Sequence, residues 1–370
     1  MYSPKYIISN QILKNIGVIE ACREVIENAP LIPSYERQFQ EEARLRTVHH
    51  GTHIEGNELS FEQAGRLFQK LNGETSAEKA AQKADLVARE RDIQEVINYR
   101  AAMDYVDGVF RDHKDRGIGY GEEMIKTIHR LTVDRVVPED VQGEYRQTQV
   151  VLRDSRSGEV TFRPPPAVEI PYLMSDFIDW LNRKGGAETH PVIRAAIVHY
   201  ALAAIHPFVE GNGRSARAFT TLILFAEGYD TKKIFSLEEY FDRDSEAYYR
   251  TLIATSDQAP ELSERDLTGW IEYFTEGLAI ELARVRDRVR KLSIDTKIRR
   301  KRGKQVALSE RQIRIVEYLS ENDLGVMGEF KGLFPMISDD TVLRELQDLT
   351  KKDIIKKKGQ TKGSHYELVK

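Results

Sequence analysis

The segment His206-Pro-Phe-Val-Glu-Gly-Asn-Gly-Arg-Ser-Ala-Arg217 constrains this chain more than any other part of it. The apolar periodicity before the segment predicts a helix with an apolar face, which Pro207 ends. A second helix is predicted over residues 213–227, so the segment is a loop between two helices. Gly211 and Gly213 let backbone amides crowd together at the start of the second helix. Such a helix N-terminus favours a bound anion.

The side chains of the same segment suit phosphate chemistry. Arg214 and Arg217 are three residues apart, so both project from nearly one helical face and suit a di- or triphosphate. Glu210 offers one carboxylate, the usual protein contribution to Mg²⁺ bound mainly by phosphate and water. His206 offers a base that titrates near neutral pH. Each residue alone is common at a helix end or surface, but their joint spacing indicates phosphoryl or nucleotidyl transfer.

Composition sets outer limits on the interpretation. A chain of 370 residues predicts two or three domains, and a formal charge of −4 argues against a protein built mainly to coat nucleic acid. A single cysteine excludes an internal disulfide framework and fits a reducing compartment. The amino terminus lacks the layout of a signal peptide, and no apolar stretch is long enough to span a bilayer. We therefore expect a cytoplasmic protein without a membrane partner.

The pattern His-Pro-Phe-x-[Asp/Glu]-Gly-Asn-Gly-Arg-x-x-Arg is met at every fixed position, and the chain thereby resembles Fic-family AMP-transferases. The resemblance implies a mainly α fold, a Fic-type helical bundle with a β-hairpin flap, followed by a small C-terminal winged helix. It implies that His206 deprotonates a Ser, Thr or Tyr hydroxyl of a target protein, which attacks the α-phosphorus of ATP. Glu210 would hold Mg²⁺.

Other residues take roles from the same resemblance. The nucleotide-binding set that it implies is Gly211, Asn212, Gly213, Arg214, Arg217, Tyr248 and Tyr249. The two tyrosines would lie near the adenine, and Ser256 stands where the family often has asparagine. Nucleotides other than ATP remain open, because the loop recognises phosphates rather than the base.

A predicted hairpin precedes the loop. Two β-rich runs, residues 150–152 and 160–162, flank a turn rich in Asp, Ser and Gly. With the preceding Gly143-Glu-Tyr-Arg146 they resemble the Fic flap, which aligns a target segment by strand addition. Val150 and Val151 are the flap candidates, and an ordinary packed hairpin is the alternative.

The segment Thr52-His-Ile-Glu55-Gly-Asn57 resembles the family's inhibitory helix, [Ser/Thr]-x-x-x-Glu-[Gly/Asn], although Gly51 stands at the Ser/Thr position. By that resemblance Glu55 pairs with Arg217 and occupies the space that the γ-phosphate needs. A plain helix C-terminus is the alternative interpretation. The segment falls at the end of a helix predicted over residues 35–54.

The remaining pattern predicts four regions: a helical region with the inhibitory helix (1–100), the Fic catalytic core (101–290), a basic linker or helix end (291–306) and a winged-helix-like domain (307–370). In the first region, Ser60 and Gln63 have capping-box spacing, and Ser76 begins a long helix that continues to about Asp112.

The last region resembles a winged helix-turn-helix. It opens with a capping box at Ser309 and Gln312, followed by helices over 313–319 and 339–349 and a hairpin near 354–369. The presumed recognition helix carries four acidic residues, which would repel DNA phosphates, while lysines follow in the hairpin. Contact with DNA and contact with protein both stay open.

Three functions compete. The first is protein AMP transfer held in check by Glu55. The second is removal of AMP by the same site, with Glu55 activating water. The third is a DNA-binding regulator whose Fic body senses nucleotide. A phosphorylating relative typically has Lys in place of Gly213, which disfavours that variant. Homo-oligomerisation is left open.

Overall fold

The computed structural model describes residues 2–29, 31, 33–71, 76–113, 118–153, 158–183, 188–302, 308–322, 324–334, 337–359 and 364–369. The chain divides into two compact units. The first comprises Met1–Glu27 and Ser34–Arg286, and the second comprises Asn28–Pro33 and Asp287–Lys370. Within the described ranges, no helix combines the length and apolar character needed to cross a membrane.

The α-helices are, in chain order, α1 Asn10–Glu27, α2 Pro33–His53, α3 Phe61–Lys70, α4 Ala77–Ala84, α5 Glu90–His113, α6 Glu122–Val133, α7 Ile170–Asn182, α8 Pro191–Ile205, α9 Asn212–Leu224, α10 Leu237–Arg243, α11 Ser245–Ser256, α12 Thr268–Arg302, α13 Glu310–Asn322, α14 Met327–Leu333 and α15 Asp339–Lys351. The strands are β1 Leu152–Arg153, β2 Val160–Phe162, β3 Leu324–Val326, β4 Ile355–Lys358 and β5 His365–Leu368.

Both predicted capping boxes are confirmed. At the start of α3, Ser60 Oγ accepts from the Gln63 backbone N–H at 3.2 Å, and Gln63 Oε1 accepts from the Ser60 N–H at 2.8 Å. Ser309 and Gln312 make the same reciprocal pair before α13, at 3.2 and 3.1 Å. Each box satisfies two backbone donors that a helix start otherwise leaves without partners, so the sequence alone locates these ends.

The single long helix predicted from Ser76 to about Asp112 is wrong. The chain forms α4, turns at Asp85 in a left-handed conformation with φ of 51°, and begins α5 at Glu90. The turn buries Leu86, which is 8% exposed, and neither Gly nor Pro marks it in the sequence. Burial of Leu86 therefore outweighs the helix propensity of the surrounding residues.

Helix α8 is the centre of the first unit. Apart from Pro191 and Ala203 its residues are buried, as expected of a mainly apolar helix inside a protein. It packs against α7, α9 and α11, and Trp270 of α12 donates from Nε1 to the Ala196 carbonyl at 2.7 Å. Helix α9 packs in turn on α5 and α6. The loop between α8 and α9 is thus held at both ends by buried helices.

The hairpin before α7 is shorter than predicted. Strands β1 and β2 pair antiparallel, with Leu152 opposite Phe162 and Arg153 opposite Val160. Val150 and Val151 are half-buried and immediately precede β1. The turn at residues 154–157 lies outside the described residues.

The second unit contains α13, β3, α14, α15, β4 and β5 in that order. Its sheet has the order β3-β5-β4 with both pairings antiparallel. The three helices and the sheet enclose a separate apolar core, formed by Ile315, Val316, Leu319, Phe330, Phe334, Val342, Leu346, Leu349, Ile354, Ile355 and Tyr366.

Candidate active site

The loop between α8 and α9 is closed by one asparagine. The Asn212 Oδ1 accepts from the Phe208 N–H at 2.9 Å, and its Nδ2 donates to the Phe208 carbonyl at 2.9 Å. His206 and Gly211 take left-handed conformations, with φ of 52° and 76°. A Cβ on Gly211 would lie 2.5 Å from Val133 Cγ1, so only glycine fits there. The loop is therefore a fixed structure rather than a flexible connection.

The start of α9 presents hydrogen-bond donors. The backbone N–H groups of Asn212, Gly213 and Arg214 belong to the first turn, and no side chain caps this end. Arg214 and Arg217 are each 2% exposed. Their buried Nε atoms have no hydrogen-bond acceptor among the described residues. Backbone dipoles and two guanidinium groups thus converge on a site that an anion would satisfy.

His206 carries its proton on a defined nitrogen. The Nδ1 atom lies 3.3 Å from the Ala203 carbonyl oxygen, which can only accept, so the proton resides on Nδ1. The Nε2 lone pair is left to act as a base. Burial lowers the pKa of His206 to about 4, against partial opposition from the Ala203 carbonyl and Glu55. The imidazole is therefore neutral at pH 7 and able to accept a proton.

Glu210 belongs to a ring of alternating charges. It pairs with Arg91 of α5 and, at 3.6 Å, with Arg214. Glu95, one turn after Arg91, lies 3.1 Å from Arg91 Nε and 3.3 Å from Arg214 Nη1. Two carboxylates and two guanidinium groups thereby neutralise one another at the edge of the loop.

Glu55 covers the start of α9. Its Oε1 lies 2.8 Å from Arg217 Nη2, which also donates to the Gly51 carbonyl at 2.7 Å. A Cβ on Gly213 would lie 2.2 Å from Glu55 Oε1, so the carboxylate rests directly on that glycine. Burial raises the pKa of Glu55, but the charges of Arg217 and Arg214 outweigh it and hold the pKa below its ordinary value. Glu55 is therefore ionised at neutral pH.

Comparison with known proteins relates the region around this loop to a known family. Residues 119–224, which include the loop and most of α9, match the model of the Fic/DOC family. This part of the chain is therefore similar to Fic domains. A protein adenylyltransferase Fic from Culex quinquefasciatus is 28% identical over 219 residues, which are 58% of this chain and 39% of the relative. The corresponding protein from Aedes aegypti is 31% identical over 196 residues, 52% of this chain and 34% of the relative.

Solved Fic structures share the fold. A Fic family protein from Desulfovibrio desulfuricans G20 superposes with a TM-score of 0.60 at 23% identity, covering 100% of this chain and 98% of that one. A Fic domain-containing signaling protein from Bacteroides thetaiotaomicron VPI-5482 gives 0.58 at 23% identity, covering 80% and 100%. The predicted mainly α, Fic-type fold class is thereby confirmed.

The Fic loop offers one carboxylate to a metal ion. Among the described residues, no group of three or more His, Cys, Asp or Glu side chains is arranged to hold a cation. Glu210, with a side chain 32% exposed, fits Mg²⁺ only when phosphate oxygens and water complete the coordination. Arg91 would have to release that carboxylate first.

Arg146 joins the hairpin predicted as a flap to the Fic loop. This side chain is 2% exposed and donates from Nε to the His206 carbonyl at 2.9 Å. It also donates to the carbonyls of Thr148, at 3.1 Å, and Pro165, at 2.5 Å, which lie on either side of the hairpin. One guanidinium group therefore joins both ends of the flap to the residue before Pro207.

His129 supports the Fic loop from α6, a role that the sequence analysis missed. Its Nε2 lies 2.9 Å from the Glu210 carbonyl, and its Nδ1 accepts from the Gly143 N–H at 2.9 Å. Its ring stacks on Phe208 with centroids 3.7 Å apart. Burial lowers its pKa to about 4, which suits the neutral form that these two bonds require. Arg91 and Glu95 were also missed, because single charged residues on a helix carry no distinguishing local signal.

The two tyrosines predicted near the adenine differ in position. Tyr249 is half-buried, and its hydroxyl donates to the Ile54 carbonyl at 3.2 Å, beside Glu55. Tyr248 is 2% exposed, and its hydroxyl lies 2.9 Å from His199 Nε2 in an aromatic core. The Tyr248 ring packs against Phe241 with centroids 4.7 Å apart, and its contact with the adenine stays a prediction.

Proposed function

We propose that this protein transfers AMP from ATP to a hydroxyl side chain of a target protein. The observation that carries the proposal is the convergence of the α9 N-terminus, the buried guanidinium groups of Arg214 and Arg217, and the neutral His206 on one loop. The relatives from Culex quinquefasciatus and Aedes aegypti, of which the chain covers 39% and 34%, are named protein adenylyltransferases.

The residues divide the reaction among them. The hydroxyl oxygen attacks the α-phosphorus of ATP, and the bond from that phosphorus to the bridging oxygen breaks, so pyrophosphate leaves with the electron pair. The hydroxyl proton passes to His206 Nε2. The N–H groups of Asn212 and Gly213 and the two arginines stabilise charge on the phosphates. Glu210 holds Mg²⁺, which when bound neutralises phosphate charge.

The flap is assigned the role of binding the target peptide. A peptide strand added to the hairpin edge beside Val150 and Val151 would carry its hydroxyl toward His206, because Arg146 joins the hairpin to the His206 carbonyl. Ser, Thr and Tyr all supply a suitable hydroxyl. Adenine recognition is assigned to the surface beside Tyr249, since Tyr248 is enclosed in the core.

Glu55 is assigned the role of brake. It occupies Arg217 and rests on Gly213, where the outer phosphates of ATP would approach. Binding of a productive triphosphate requires Arg217 to exchange this carboxylate for phosphate. Asn57 holds the segment after Glu55 against α5. Its Nδ2 donates to the Asp92 carbonyl at 2.9 Å and to Glu95 Oε2 at 3.0 Å. Disrupting a shielded charge pair changes binding by about 2–5 kcal/mol.

Intact-mass spectrometry tests both assignments. Glu55→Gly protein incubated with ATP and Mg²⁺ should gain the mass of AMP, at least about 10-fold faster than wild type. The Glu55→Gly/His206→Ala protein should be labelled more slowly than Glu55→Gly by a factor of about 10²–10⁴, because the general base is lost. Glu58→Gly, which removes a 74% exposed carboxylate three residues away, should behave like wild type. Equal labelling in wild type and Glu55→Gly refutes the brake, and labelling that survives His206→Ala refutes the mechanism.

A further inference from the structure

The second unit has the architecture of a DNA-reading module. Helix α14 is followed, across residues 334–338, by α15, and the β4–β5 hairpin comes next. Helix-turn-helix proteins place the second of two such helices in the major groove of DNA. Here the β4–β5 hairpin and β3 form one three-stranded sheet, and the module has its own apolar core.

Most acidic residues of α15 are paired within the module, including Asp348, which lies one turn from Arg344. Glu345 accepts from Arg311 Nε at 2.8 Å and from Ser309 Oγ at 3.1 Å, both at the start of α13. Asp348 accepts from Gln312 at 2.6 Å and pairs with Lys352 at 2.6 Å. Asp339 pairs with Lys331 at 2.8 Å. The repulsion of phosphates that the sequence suggests is therefore largely cancelled within the module.

The face of α15 away from the core carries residue types that can contact bases. Val342, Leu346 and Leu349 face the core, whereas Leu343, Arg344, Gln347 and Lys351 are exposed. Arg344, Gln347 and Lys351 follow one another at spacings of three and four, so they form one stripe along the helix. Arginine and glutamine pair with the edges of guanine and adenine, and an apolar side chain contacts the thymine methyl group.

The hairpin next to α15 adds positive charge. Lys356, Lys357 and Lys358 of β4 are all exposed. Lys356 and Lys358 share a single acid, Glu367, each at 2.8 Å. One positive charge of that group is thus uncompensated, and Lys357 adds another. Together with Arg344 and Lys351, the surface suits a polyanion with phosphates on both sides of a groove.

We propose that the second unit binds duplex DNA, with the exposed stripe of α15 in the major groove and β4 against the adjacent phosphates. This function is independent of AMP transfer. Asp340, in the first turn of α15, is exposed and has no ion pair to a described residue. It opposes phosphate binding, so its neutralisation should strengthen the complex.

Fluorescence anisotropy of the full-length protein with a randomised-sequence duplex tests the proposal. Binding should weaken steeply with salt, and Lys351→Ala should reduce the slope of log K against log [salt] by about 1. Arg344→Ala should bind selected sequences roughly 5- to 100-fold more weakly, while Arg314→Ala, an exposed arginine on α13, serves as the matched control. Asp340→Asn should bind more tightly, a gain that misfolding cannot produce.

Sequence selection from the same random pool supplies the second readout. An enriched motif should appear with wild-type protein, and Gln347→Ala should change the base preferred at one position. Two results would overturn the proposal. One is that the protein does not bind the duplex in a salt-dependent way at low ionic strength. Binding of a protein to this face without binding of the duplex counts as that result. The other is equal loss of binding in Arg344→Ala and Arg314→Ala.

Discussion

Gly51 shows how one residue explains a departure from the inhibitory pattern. Where the pattern has Ser or Thr, a Cβ at position 51 would lie 2.3 Å from Tyr99 Cε1. The Tyr99 hydroxyl is in turn fixed by Glu238 Oε1 at 3.1 Å. Arg217 bonds the Gly51 backbone carbonyl at 2.7 Å. A tyrosine from α5 thus fills the side-chain space, so only glycine allows the close packing of α2 on α5.

Arg91 should compete with a divalent cation for Glu210. We expect Arg91→Ala to bind Mn²⁺ more tightly in the presence of ADP, measured by electron paramagnetic resonance of free Mn²⁺. Arg91 is 57% exposed, so solvent screens the pair and the gain should not exceed about 1 kcal/mol, roughly 5-fold. Arg66→Ala, an exposed arginine on α3, is the control. Unchanged Mn²⁺ affinity in Arg91→Ala would show that the pair does not restrict the carboxylate.

At the scale of elements, one arginine joins the hairpin to the loop through its backbone and its side chain. The hairpin itself is short, with two residues in β1 and three in β2. Strands of this length are marginal without further support. The Arg146 N–H donates to the Pro207 carbonyl at 2.9 Å, and the Arg146 side chain adds three bonds to carbonyls. The position of the flap thus depends on Arg146.

Arg146→Lys should separate target alignment from nucleotide binding. A lysine ammonium cannot reproduce the planar fork that reaches three carbonyls, and unsatisfied buried carbonyls cost about 1–3 kcal/mol each. In the Glu55→Gly background we expect labelling at saturating ATP to slow by about 10-fold or more, with little change in the calorimetric Kd for ATP. Arg153→Lys, on β1 of the same hairpin, is the control. A parallel loss of ATP affinity would contradict this role.

At the scale of the whole molecule, the first unit buries neutral histidines in its core. His199 and His129 are 0% and 1% exposed. Burial lowers their pKa values to about 3 and about 4. His199 Nδ1 lies 3.3 Å from Thr220 Oγ1, and its ring packs 5.1 Å from Trp270. Protonating either histidine would place an uncompensated charge beside aromatic rings. The folded state therefore holds both histidines in the neutral form.

The first unit should therefore lose stability in mild acid. Below pH about 6.5 the unfolded chain protonates both histidines, whereas the folded chain does so only near pH 4 and 3. Unfolding takes up protons in this window, so the free energy of unfolding falls with pH by up to about 1.4 kcal/mol per pH unit for each histidine.

Urea titrations between pH 7 and 5 measure this slope. Both tryptophans, Trp180 and Trp270, belong to the first unit, so their fluorescence reports its unfolding alone. His129→Gln should reduce the slope by about 1.4 kcal/mol per pH unit. A free energy of unfolding that is constant between pH 6 and 5 would be inconsistent with neutral buried histidines.

Much of the molecule was accessible from sequence because its signals are local. The capping boxes at Ser60 and Ser309, the course of α2 and the antiparallel β4–β5 hairpin follow from residues within a few positions of one another. The same holds for the loop from His206 to Arg217, because the left-handed glycine and the Asn212 bonds to Phe208 lie within the motif. Short-range geometry is fixed by residue type and spacing.

Only the tertiary structure decided what surrounds that loop. Arg91 and Glu210, for example, are 119 positions apart. Nothing in the helix carrying Arg91 distinguishes it from a solvated arginine, and nothing near Tyr248 indicates that His199 would enclose its hydroxyl. The break between α4 and α5 likewise depends on burying Leu86. Such features arise from packing between distant segments. The free energy of that packing cannot be read from neighbouring residues in the sequence.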